Sequence, residues 1–127
     1  MKSMKYTDVM LMPWKWGGRI LVGGTPETFQ TYAKRWLDVN LDCGTGTQGH
    51  SYVEWGNPWV IWIKSLHDIP ALAHEALHVT SGVLASRGLS FADPSEEAYT
   101  YTMEDLLRQV LTSKRWRKVR YPPPTNR

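Results

Sequence analysis

His74-Glu75-Ala76-Leu77-His78 sets two imidazoles four positions apart, with a carboxylate beside the first. On a helix, residues four apart share a face, so both ring nitrogens reach one point. Neutral imidazole is a good donor to zinc. Glu75 sits where it can lean over an open metal position and take a proton from water there. A hydrolytic site of this kind needs a third protein donor and one open position. Glu96 and Glu97 are the downstream candidates, and eighteen residues separate His78 from Glu97. That gap can finish one helix, turn at Gly88 and return antiparallel. Residue type alone does not choose between the two glutamates, and acidic residues in a first helical turn also serve the helix dipole. Tyr101 lies four residues after Glu97 and shares its face. A phenol there would donate to a substrate carbonyl or a developing oxyanion.

The surrounding elements must hold this constellation. Strand-like pieces are expected over residues 9–12 and 19–22, broken by Pro13, Gly17-Gly18 and Gly23-Gly24. Thr25-Pro26 is a helix start, and Phe29, Ala33, Trp36 and Leu37 recur at helical spacing, which predicts a helix over 26–39. Residues 42–49 read as a Gly/Thr-rich loop. Two strands follow, over 51–55 and 59–64, joined by the turn sequence Gly56-Asn57-Pro58. Asp68 and Pro70 open the helix that carries the histidines, and Gly88 closes it. Asp93, Pro94 and Ser95 begin a third helix reaching Leu111, with Ala98, Tyr99, Met103, Leu106, Leu107 and Val110 as its buried stripe. The order of elements predicts an α+β fold, a small mostly antiparallel sheet packed on an active-site helix and two further helices.

Length and composition exclude several classes. The chain of 127 residues is one domain's worth, and 42% hydrophobic against 21% charged residues is not the composition of a disordered chain. Its longest apolar runs, such as Trp59 to Ile63, are far too short to span a membrane, so no membrane partner is expected. No apolar segment of secretory type follows the first residues, and the single cysteine, Cys43, rules out an internal disulfide and fits a reducing compartment. The formal charge of +3 hides an asymmetry: Lys114, Arg115, Arg117, Lys118, Arg120 and Arg127 stand at the end without an acid. Removing those six leaves nine bases against 12 acids. The chain thus divides into one domain over 1–113 and a basic, Pro-rich tail over 114–127. That tail offers weak contacts to nucleic acid or simply keeps the chain solvated. Seven tryptophans are many for this length. Core packing accounts for most of them, with Trp59 or Trp62 the better candidate for a cleft wall.

His74, Glu75, His78 and a later glutamate resemble the gluzincin branch of the zincin metallopeptidases. Ser95-Glu96-Glu97-Ala98-Tyr99-Thr100-Tyr101 resembles the third-ligand helix of small members. In ImmA/IrrE-like prophage proteins the ligand glutamate directly precedes an alanine, as Glu97 does here. The resemblance extends over residues 59–111 and includes compact metallopeptidase-like proteins of bacteriophages. It implies a zincin-like fold and one Zn2+ per chain held by His74, His78 and Glu97. It also implies Glu75 as the general base of peptide-bond hydrolysis, and a substrate lying along an edge strand formed by residues 59–64. His67, Tyr99 and Tyr101 are the candidates for oxyanion stabilisation, and Asp93 and Glu104 for orienting the histidines. A phage-encoded protein of this type would work in the cytoplasm of a bacterial host. The competing expectation is a catalytically silent, zinc-stabilised binding protein, such as a phage effector or a nucleic-acid-associated module.

Overall fold

Two long strands start the fold. In the computed structural model, which describes residues 3–44, 46–90 and 95–120, β1 (Met4–Leu11) and β2 (Trp16–Gly23) form an antiparallel hairpin. Both extend beyond the segments the apolar pattern marks. Lys5, Thr7 and Asp8 interrupt that pattern, yet the backbone pairs straight through them. Gly17 and Gly18, expected as breakers, lie inside β2. Gly18 is there for space: a Cβ at this position would lie 1.9 Å from the Trp59 ring. The Trp59 indole N–H also donates to the Trp16 carbonyl at 3.0 Å, so the ring is pinned over the glycine.

Thr25 caps α1 (Pro26–Tyr32), its hydroxyl accepting from the Thr28 N–H at 3.1 Å. The expected helix over 26–39 stops being α-helical at Tyr32. A π-helical turn, Ala33–Leu37, finishes it, and Asp38 ends it in a left-handed conformation with φ 54°. The chain then runs down the edge as β3 (Gly49–Tyr52) and returns as β4 (Trp59–Ile63), parallel to β2. The sheet order is β3-β4-β2-β1-β5, where β5 (Arg117–Lys118) pairs with Lys5 and Tyr6 of β1.

The sheet is therefore mixed, and not mostly antiparallel as expected. A parallel β2–β4 pair at the centre follows from the path of the chain, because α1 crosses one face before β3 and β4 are laid down. The basic segment read as a tail from residue 114 contributes the two-residue strand β5 to this sheet. Residues 121–127, with the Pro-rich run, lie outside the described residues, as do Asp93 and Pro94.

Alternation along each strand sends side chains to two cores. Phe29 and Tyr32 of α1 pack with Met4, Leu21, Val60 and Trp62 on one face. On the other face, α2 (Ile69–Ala85) and α3 (Glu96–Thr112) cover Leu11, Ile20, Trp59, Ile61 and Ile63. Among the described residues no helix is long and apolar enough to cross a membrane.

Candidate metal centre

The H-E-x-x-H segment spans the second and third turns of α2, a helix of 17 residues with defined ends. The Asp68 carboxylate accepts the Ala71 N–H at 3.1 Å, and Pro70 fills the first turn. At the far end Gly88 takes φ 75°, and the Leu89 N–H returns to the Leu84 carbonyl at 3.0 Å. Leu72, Ala76, Val79 and Val83 bury one face of the helix against the sheet.

His74 and His78 stand on the exposed side, and their Nε2 atoms are 3.2 Å apart. The ring planes are inclined by 75°, with centroids 4.8 Å apart. Two nitrogens bound tetrahedrally at about 2.0–2.1 Å to one zinc would lie roughly 3.3–3.4 Å from each other. The pair stands at hydrogen-bond distance, which is also close to the spacing of two nitrogens on one shared metal ion. A Glu75 carboxylate oxygen and one nitrogen of each histidine all lie within 4.8 Å of one another. The group is compatible with a divalent metal ion held by the two imidazoles, with the carboxylate beside it.

Glu75 differs from its neighbours in being buried, with only 6% of its surface exposed. It is turned toward the edge strand. A Cβ at Gly49 would lie 3.1 Å from Glu75 Cγ and 3.2 Å from its Oε2. The absence of a side chain at Gly49 is what lets the carboxylate lie against β3. Nothing in the sequence around Gly49 marks this role, because the contact joins residues 26 positions apart.

Glu97 occupies the first turn of α3, exposed and outside the convergent group among the described residues. Five residues later, the Thr102 hydroxyl accepts from the Trp14 indole N–H at 2.9 Å. The Trp14 carbonyl in turn accepts from Arg87, just past the end of α2. The first turns of α3 therefore lie toward the C-terminal end of α2, whereas the histidines are in its second and third turns. Glu96 is exposed beside Glu97. Tyr101 is 66% exposed and Tyr99 is buried.

The remaining candidates separate from the centre. His67 is exposed in the turn before α2, its backbone N–H donating to Ser65 Oγ. His50 packs its ring 5.8 Å from Phe29 on the α1 face. Glu104 forms an i,i+4 ion pair with Arg108 on the surface of α3 instead of orienting a histidine. Trp59 and Trp62 are both fully buried, so neither is a cleft wall. Cys43 is buried in the α1-face core, where burial, followed by the charges of Asp42 and Glu27, pushes its thiol above the ordinary value. The expected edge position of residues 59–64 is corrected as well: β4 is bonded on both sides, to β3 and β2, and the outer strand is β3.

No protein-family model, curated protein or solved structure matches this chain.

Proposed function

We propose that this protein is a zinc-dependent peptide-bond hydrolase centred on His74, Glu75 and His78. The observation that carries the reading is the 3.2 Å separation of the two Nε2 atoms beside a buried carboxylate. His74 and His78 would hold the ion. When bound, zinc supplies Lewis-acid polarisation of the scissile carbonyl and an activated water. Glu75 takes the proton from the attacking water and passes it to the leaving amine. Its packing against Gly49 holds the carboxylate in one place, which suits a group that must receive and return a proton within one turnover.

The substrate is proposed to lie extended along the outer edge of β3, the end strand of the sheet among the described residues, and to form a further ladder there. This replaces the expectation of pairing along residues 59–64. Glu97 as third ligand rests on the likeness of the 95–101 segment to a third-ligand helix, and Tyr101 as oxyanion donor on sharing the helical face of Glu97.

The test is cleavage of a mixed peptide library by the zinc-loaded full chain, beside Glu75→Gln. General-base removal should lower the rate by about 10²–10⁴-fold with zinc content unchanged. Equal cleavage by wild type and Glu75→Gln would contradict the reading. Zinc binding without cleavage by either protein would make the chain a silent, metal-stabilised binding protein.

A further inference from the structure

The other end of the sheet carries a different surface. A groove of about 760 Å3 opens where β1 ends and where β2 and β4 begin. Trp36 and Trp55 line it and are 46% and 69% exposed, unusual for the largest apolar side chain. Both are held in place. The Trp55 ring meets Trp16 edge-on at a centroid distance of 5.4 Å, and Trp36 leans on Tyr32 at 6.2 Å. The Arg87 guanidinium lies 5.8 Å from the Trp55 ring, and Lys15 lines the same groove.

A second hollow of about 460 Å3 continues from the first, sharing Arg19, Tyr32 and Trp36 with it. Its outer wall is the basic strand, with Arg117, Lys118 and Arg120. Asp8 is the one acid among the lining residues, and Arg19 neutralises it through bonds of 2.7 and 3.2 Å. Burial works against the Arg19 charge, but Asp8 and the Tyr32 hydroxyl more than restore it, so the guanidinium is held above its ordinary value. The joined surface therefore carries two exposed indoles together with Lys15, Arg87, Arg117, Lys118 and Arg120, and no uncompensated negative charge among the described residues.

We propose that this groove binds single-stranded nucleic acid. Bases have flat faces that stack on exposed indoles in a sequence-tolerant way, and a string of cations follows the phosphates. An acidic peptide would use the cations and leave the indoles idle. A Pro-rich peptide would use the indoles and leave the cations idle. A single strand engages both. The site is distinct from the histidine pair: Arg87 lies past the end of α2, and the seven residues of α2 that follow His78 take up about 10 Å along the axis.

The experiment is fluorescence anisotropy of labelled oligo(dT) and oligo(rU) with the full chain, between about 50 and 200 mM salt. Trp36→Ala and Trp55→Ala are each expected to weaken binding at least about fivefold, with circular dichroism unchanged because both rings are exposed. Single strands release counterions with a slope of about −0.7 per phosphate contact in log affinity against log salt. The double variant Arg117→Ala/Lys118→Ala should therefore flatten the slope by roughly 1.4. A preference for one oligonucleotide over the other assigns DNA or RNA as the ligand. Binding that ignores both tryptophans but follows the cations would overturn the groove in favour of unspecific charge attraction. No binding to either oligonucleotide, or displacement of the oligonucleotide by a Pro-rich or poly-glutamate peptide at lower concentration, would overturn the proposal outright.

Discussion

The two ends of the sheet are built in opposite ways. At the Gly49–Ile63 end, the chemistry sits on one turn of one helix, and a spacing of four residues sets the geometry. At the other end, Trp14, Arg19, Trp36, Trp55 and Arg87 come from five separate parts of the chain. A site on one helix inherits its geometry from the helix and needs the fold mainly for support. A site gathered from turns and strand ends exists only when the sheet is paired in register. Damage to the shared core should therefore strike the second end at least as hard as the first.

The largest effect expected is from Gly18→Val. Its side chain would have to occupy the volume of the Trp59 ring, which is pinned by its bond to Trp16. Moving a fully buried indole out of a core costs about 3–5 kcal/mol. Chemical denaturation should show a loss of that size or no folded protein. A variant as stable as wild type would contradict the central β2–β4 pairing.

Gly49→Val should divide the two ends. Its side chain presses on Glu75 from the edge strand, so peptide cleavage should fall about tenfold or more through misplacement of the base. Zinc content and oligonucleotide affinity should not change. If cleavage survives intact, Glu75 is not positioned by β3.

The smallest effect concerns neither end. Thr80 Oγ1 is buried without a hydrogen-bond partner among the described residues. An unsatisfied buried hydroxyl costs about 1–3 kcal/mol, so Thr80→Val should raise the thermal midpoint by a few degrees and leave cleavage and affinity alone. A fall in the midpoint would mean that the hydroxyl has a partner, such as an ordered water.

The same contrast explains what could be read in the sequence. The H-E-x-x-H turn, its Asp68 and Pro70 start and its Gly88 end are local patterns, and each stands where its spacing puts it. The parallel pairing of β2 with β4 is not local. Two apolar strands flanking a helix fit antiparallel or parallel arrangements equally well, and the edge position for residues 59–64 rests on the gluzincin resemblance alone, whereas β3 holds that edge. β5 was invisible for the same reason, since Arg117-Lys118 reads as a charge run until β1 offers it a partner. Helical spacing through Trp36 and Leu37 predicted one regular helix, but the spacing cannot distinguish an α from a π turn. The seven tryptophans were a fair signal of packing, and the structure separates them: Trp59 and Trp62 are buried, whereas Trp36 and Trp55 face solvent. Glu97 was expected to return to the histidines along an antiparallel helix. The described part of α3 places its first turns toward the other end of α2.

Metal content per chain, by mass spectrometry after zinc loading and dialysis, tests the central claim most directly. Wild type and Glu96→Ala should each retain about one zinc, as a single tetrahedral site requires. His78→Ala should retain none, and loss of zinc from Glu97→Ala would assign that carboxylate as the third ligand. A folded wild-type chain that holds no zinc would contradict the account, leaving the two imidazoles as surface neighbours on a helix.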